Sequence, residues 1–163
     1  MRHIKAPNPL DFSHAQYRIF LGGSIEMGLA EPWQDRLAEA LSCYDDNIVV
    51  LNPRRDDWDA SWVQDPTPGT QFEEQVSWEL LHQETCSLAV YYFDAATKSP
   101  ITLLELGAFG LQDPDATVVC CPTAFWRYGN VAVFCERYGI PLVHSFDELV
   151  SHINAKILRE MVS

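Results

Sequence analysis

The chain has 163 residues, 47% of them hydrophobic, and a formal net charge of −12. That length suits one domain with a real core, and the apolar content excludes a disordered chain. The acidic excess argues against nonspecific nucleic-acid binding and against docking on anionic membranes, while leaving room for a small phosphorylated ligand in a local site.

The first fifteen residues contain Pro7 and Pro9 and read as an irregular N-terminal arm. A strand is expected over Tyr17–Leu21, broken by Gly22-Gly23-Ser24. A helix follows over Pro32–Cys43, with Trp33, Leu37, Ala40 and Leu41 at helical spacing. Asn47–Leu51 is an apolar run suited to a strand buried on both faces. The segment Asn52–Thr70 is a long loop rich in Asp, Pro and Trp, and loops of that length in compact domains are usually functional. Beyond it come a helix over Gln71–Glu84, a strand over Ser87–Phe93, a helix over Ser99–Leu111 and a strand over Ala116–Cys121. A helix over Phe125–Tyr138, a strand over Pro141–His144 and a helix over Phe146–Met161 complete the series.

This alternation predicts an α/β domain over 16–163 with a five-stranded parallel sheet, doubly wound and flavodoxin-like or a close relative. Ligands of such sheets bind at the carboxyl ends of the strands, here the loops after Leu21, Leu51, Phe93 and Cys121. Of the five cysteines, Cys86, Cys120 and Cys121 fall in or beside apolar runs and read as buried thiols of a reducing compartment, with no zinc-like spacing. Adjacent Cys120 and Cys121 are expected to point to opposite faces of their strand. There is no signal-peptide pattern and no membrane-length apolar run, so the expected location is cytoplasmic.

The most informative stretch is Ser99-Pro100-Ile101-Thr102-Leu103-Leu104-Glu105-Leu106-Gly107. Ser99 is a good N-cap and Pro100 suits the first helical position. Ile101, Leu104 and Ala108 are expected to form the core-facing side. A carboxylate at the edge of such a helix is expensive unless paired, solvated through a cleft, or employed, which makes Glu105 the candidate nucleophile. Glu79, in Trp78-Glu79, lies at the edge of an approximate stripe of Phe72, Val76, Leu80 and Gln83; by itself it reads as a solvated acid, but two carboxylates in one cleft suit glycosidic bond cleavage.

Gly22-Gly23-Ser24 reads as a tight turn or as a loop bringing backbone N–H groups to an anion or sugar. Arg54 and Arg55 either clamp a phosphate or carboxylate or pair with Asp56, Asp57 or Asp59. Trp58 and Trp62 either cover the core or stack on a base. The five histidines are scattered, no nucleophile elbow occurs, and no catalytic histidine is expected.

Ile19–Ile25, Asn52-Pro53-Arg54-Arg55, Trp78-Glu79 and Ser99–Gly107 together resemble the nucleoside 2-deoxyribosyltransferase superfamily, in particular its nucleoside 2-deoxyribosyltransferase-like branch, over residues 17–145. The resemblance implies a flavodoxin-like fold and a Glu105 that attacks C1′ of a deoxyribosyl group. It implies that Glu79 manages the proton of the base, and that Gly22, Gly23 and Ser24 lie near the sugar or its 5′ group. No metal or organic cofactor is implied. It further implies a homo-oligomer in which a neighbour completes the site, for which Phe125–Asn130, with Asn130 as a substrate-binding residue, is a candidate; its other reading is a capped helix start. Three positions depart from the family pattern. Phe20 stands where a strand tyrosine orients the nucleophile, Glu79 stands for an aspartate, and Ser99 stands where transferases of unphosphorylated nucleosides carry an aspartate. A serine there resembles the branch that hydrolyses deoxynucleoside 5′-monophosphates. The expectations are therefore transfer of 2-deoxyribose between bases, hydrolysis of nucleotides, or nucleotide binding without turnover.

Overall fold

The computed structural model describes residues 1–11, 16–25, 30–57 and 61–162. The expected base-stacking or core role of Trp58, and Asp59 as an arginine partner, lie outside these residues. In chain order the elements are β1 (Arg2–Lys5), β2 (Tyr17–Gly23), α1 (Trp33–Ala40), β3 (Ile48–Asn52), α2 (Gln71–Thr85), β4 (Leu88–Tyr92), α3 (Pro100–Phe109), β5 (Thr117–Cys120), α4 (Tyr128–Tyr138), β6 (Leu142–Val143) and α5 (Phe146–Val162). The result is an α/β architecture around a parallel sheet ordered β1-β3-β2-β4-β5-β6.

The sheet has six strands and not the expected five. The additional strand, β1, lies in the segment expected to be irregular and pairs in parallel with β3, from Arg2 opposite Val49 to Lys5 opposite Asn52. Its sequence Arg-His-Ile-Lys has one apolar residue and no alternation, so it carries little periodic signal. As an edge strand it needs a partner on one side only, and charged residues suit that place. Lys5 Nζ pairs with Asp35 Oδ1 at 3.1 Å and with Asp56 Oδ1 at 2.8 Å, tying this edge to α1 and to the loop after β3.

Side chains alternate across the sheet, as the pleat requires. Ile19, Leu21, Val50, Val90 and Val118 join Trp33, Leu37, Leu149 and Ile153 in a core beneath α1 and α5. The opposite face is built from Tyr91, Phe93 and Val119 with Leu106, Val131 and Cys135. Phe20, Val49 and Leu51 meet Ile4 and Trp78 beside it. Cys120 and Cys121 fall in the two opposite cores, as their adjacency predicts.

Two helix faces differ from expectation. Ile101, Leu104 and Ala108 of α3 are exposed, and Thr102 and Leu106 are buried instead. This helix is apolar around nearly its whole circumference, so periodicity does not select the inward side. On α2 the buried residues are Gln75, Trp78, His82 and Gln83, with Leu80 exposed. That helix turns amides inward, which a search for apolar stripes passes over. Its start follows a sequence rule: Thr70 Oγ1 accepts from Glu73 N–H at 3.2 Å while Glu73 Oε2 accepts from Gly69 N–H at 3.1 Å.

Candidate active site

The loops after β2 and β3 leave the carboxyl ends of their strands and meet α2 and the start of α3 around a cavity of about 630 Å³. Gly22, Gly23, Ser24, Arg54, Arg55, Glu79, Ser99 and Glu105 all line it. Asn130 does not; it is exposed on the first turn of α4. No lining residue follows Cys121, so the expected contribution from that loop is missing among the described residues.

The two carboxyls are half-buried and line the cavity. Burial pushes Glu79 up to about 7. Burial, and then the charge of Glu79, push Glu105 up to about 8. Each also receives an amide donor: Gln75 Nε2 donates to Glu79 Oε1 at 2.7 Å, and Gln83 Nε2 donates to Glu105 Oε1 at 2.9 Å. These bonds favour the charged forms and oppose the burial. Like charges in one cavity give up their protons in two steps, so between the two midpoints the pair holds one proton and one charge, with Glu105 the harder of the two to ionise. The other reading of Glu79, a solvated surface acid, is not what the structure shows.

Ser99 occupies the N-cap position of α3, but with φ 47° and ψ 52° it is left-handed, and its side chain makes no capping hydrogen bond. Its hydroxyl instead joins those of Ser24 and Thr97. Thr97 Oγ1 donates to Ser24 Oγ at 2.8 Å, and Ser24 Oγ accepts from Asp94 N–H at 2.9 Å. The three buried hydroxyls fasten the glycine loop to the start of α3. Gly23 is required on steric grounds: at its φ of +157° a Cβ would lie 2.6 Å from Tyr92 O and 2.7 Å from Trp33 Cζ2.

The arginines divide. Arg54 Nη1 donates to Glu31 O at 3.2 Å. Arg55 forms two parallel bonds with Asp57, Nε to Oδ1 and Nη2 to Oδ2, each 2.8 Å, and lies over the Trp62 ring. Pairing with Asp57 is thus one of the two expected roles; Arg55 Nη1 is buried without a hydrogen-bond partner among the described residues, while the residue lines the cavity.

Gln75, Gln83 and Thr97 were not legible as site residues. The only signal in the sequence is polar residues at helix or loop positions that turn out to be buried, and their partners lie on other elements. Phe20 also lines the cavity and brings no hydroxyl, so the side-chain donor seen on Glu105 is Gln83. Among the described residues no group of three or more His, Cys, Asp or Glu could hold a metal ion, and no helix is long and apolar enough to cross a membrane.

The family described as nucleoside 2-deoxyribosyltransferase like matches the chain over residues 16–125, which is well over half of it. The chain belongs to that family. No curated protein matches it. In this nucleoside 2-deoxyribosyltransferase-like chain the matched span runs from the residue before β2 to the residues just ahead of α4 and contains every residue that lines the cavity, whereas Asn130 lies beyond it.

Proposed function

We propose that the protein cleaves the N-glycosidic bond of a (2-deoxy)nucleoside or its 5′-monophosphate and passes the glycosyl group to a second base. The observation that carries this reading is the pair of half-buried carboxyls, Glu79 and Glu105, facing one cavity with protonation midpoints near neutrality. With one proton on the pair, which rests on Glu105 as the group harder to ionise, the reactive form is the one in which that proton has passed to Glu79, leaving an ionised nucleophile and an acid. The Glu105 carboxylate attacks C1′. The bond from C1′ to the base nitrogen breaks, its electron pair stays on that nitrogen, and the nitrogen takes the proton from Glu79. The product is a glycosyl ester on Glu105. An incoming base, losing its proton to Glu79, attacks C1′ and expels the Glu105 carboxylate.

Gly22, Gly23, Ser24 and Ser99 hold the sugar and its 5′ end in this reading, with Arg54 and Arg55 adding positive charge. The first-turn N–H groups of α3 lack intrahelical partners and favour an anion. A second reading, hydrolysis of 5′-monophosphates with water replacing the second base, is favoured by one observation: Ser99 carries a hydroxyl, not a carboxylate, where α3 begins. With β1 set aside, the remaining strands follow the order of flavodoxin-like sheets, and we assign the domain over 16–163 to that fold. We further take the active form to be a homo-oligomer, in which Asn130 is offered to a neighbouring copy.

The test is release of free base from a panel of nucleosides and 5′-monophosphates, with and without a second base, by wild type and Glu105→Ala. Release that requires the second base and is lost in Glu105→Ala supports transfer. Release in water, favouring monophosphates, supports hydrolysis. Ligand-induced thermal stabilisation with no release from any substrate overturns both in favour of a binding protein.

A further inference from the structure

We propose that Gln83 is the positioning residue for Glu105, and that Tyr91, seated against Gly22, helps set which end of the Gln83 amide faces the carboxylate. The side chains form one line across three elements. Tyr91 on β4 donates from its hydroxyl to Gln83 Oε1 at 2.9 Å, and Gln83 on α2 donates from Nε2 to Glu105 Oε1 on α3 at 2.9 Å. Tyr91 is fully buried and Gln83 nearly so.

An amide presents a donor at one end and an acceptor at the other. Only the donor end stabilises a carboxylate; the acceptor end would demand a protonated acid. Tyr91 takes part in the choice: a neutral phenol can donate or accept, and here it donates to Oε1, which leaves Nε2 toward Glu105. Burial drives its phenol far above the ordinary range, so the O–H that makes this bond is kept at every working pH. The position of the phenol is in turn set by backbone: a Cβ on Gly22 would stand 2.9 Å from both Cδ1 and Cε1 of the Tyr91 ring. Gly22 therefore acts as the seat of this ring, in addition to any contact it makes with ligand.

The titratable and charged groups that face Glu105 are Glu79 from α2, Tyr91 from β4, and Arg54 and Arg55 from the loop after β3, which share its cavity or act on it directly. Among these surroundings the Gln83 bond lowers the Glu105 midpoint, while burial and Glu79 raise it. The catalytic weight of the relay rests on the reading of Glu105 as nucleophile; the relay itself does not.

The two are separated by measuring the Glu105 carboxyl directly. Proteins labelled with ¹³C at the glutamate side-chain carboxyl, with Glu105 assigned through Glu105→Gln, are titrated as wild type, Gln83→Leu, Tyr91→Phe and the double variant. The pH profile of base release is recorded beside each titration. A hydrogen bond to a charged group corresponds to roughly one to two pH units. Gln83→Leu is expected to raise the Glu105 midpoint by about one unit, to move the pH profile of kcat/KM toward higher pH with it, and to lower kcat by about tenfold with KM little changed. Tyr91→Phe keeps the ring and its packing, and gives a smaller shift in the same direction. The double variant shifts no further than Gln83→Leu, because both residues act through one chain of bonds. Unchanged midpoints in both single variants, or additive shifts, overturn the relay. Midpoints that move in a protein whose wild type releases no base leave the relay standing and overturn the catalytic reading.

Discussion

Glu79 and Glu105 face one cavity from two different helices, and the charge of Glu79 makes Glu105 harder to ionise. Removing that charge therefore lowers the Glu105 midpoint, the opposite sign to removing the Gln83 bond. In Glu79→Gln the Glu105 midpoint, titrated directly, should move to lower pH, since the nucleophile ionises more readily. The maximal rate should fall by about 10²–10⁴, the range typical for loss of a general acid, and the descending limb of kcat/KM, which reports loss of the pair's last proton, should disappear. A Glu105 midpoint that stays in place would show that the two groups do not interact.

The same burial has a consequence for stability. In the unfolded chain Glu105 ionises near 4.5, and in the folded protein near 8. Between those values the folded state binds more protons than the unfolded state. Stability thus falls as pH rises through this window and is flat above it. Glu105→Gln removes the ionisation and with it the penalty. The variant should match wild type near pH 4.5 and exceed it near about pH 9, where even one pK unit, about 1.4 kcal/mol, moves Tm by roughly 3–6 °C. Thermal melts of the two proteins across pH check this, and a variant less stable than wild type at high pH contradicts it.

Much of this arrangement is readable from the chain, and the losses have physical causes. The run Ile48-Val49-Val50-Leu51 announces a strand covered on both faces, and all four residues are buried in β3. Glu105 stands out because a carboxylate interrupts an apolar helix. The orientation of that helix is not readable: with apolar residues on nearly every side, the inward choice of Thr102 and Leu106 over Ile101 and Leu104 is made by the sheet beneath. Gln83 is hidden for a related reason. Its value lies in Tyr91 and Glu105, partners on β4 and α3, and local periodicity contains no term for either. β1 escapes because an edge strand with one apolar residue has almost no pattern to detect.

Gly23 and Gly107 provide a contrast within the motifs that point to the site. At Gly23 the backbone φ is +157°, and an added Cβ would meet the Tyr92 carbonyl oxygen at 2.6 Å and the Trp33 ring at 2.7 Å. The Trp33 ring is stacked on Tyr92 with centroids 4.7 Å apart and cannot retreat freely. Gly23→Ala is expected to destabilise by about 2–4 kcal/mol, combining strain with overpacking, or roughly 4–16 °C in Tm. At Gly107 an added Cβ meets nothing within 4 Å, and the residue is inside α3. Gly107→Ala should be neutral or stabilising by up to about 1 kcal/mol, through the reduced freedom of the unfolded chain. Chemical denaturation of both variants decides the point; equal effects would mean that the tight loop after β2 yields more easily than its contacts imply.

The exposed side of α3 bears on assembly. Ile101 and Leu104 are 61% and 68% exposed, and Ile101 also lines the cavity. Two large aliphatic side chains on one exposed helix face, beside a ligand cavity, are the kind of surface that a second copy covers. If the protein is a homo-oligomer joined through this face, a charge at Leu104 must be buried without a partner, which association does not tolerate. Leu104→Lys should therefore lower the sedimentation mass to that of a single chain while leaving the monomer folded, because the native side chain packs on little within its own chain. Base release should fall with it, since Ile101 lies one helical turn away and lines the cavity. A wild type that sediments as a monomer, or a Leu104→Lys variant with unchanged mass, removes this face from consideration as the interface.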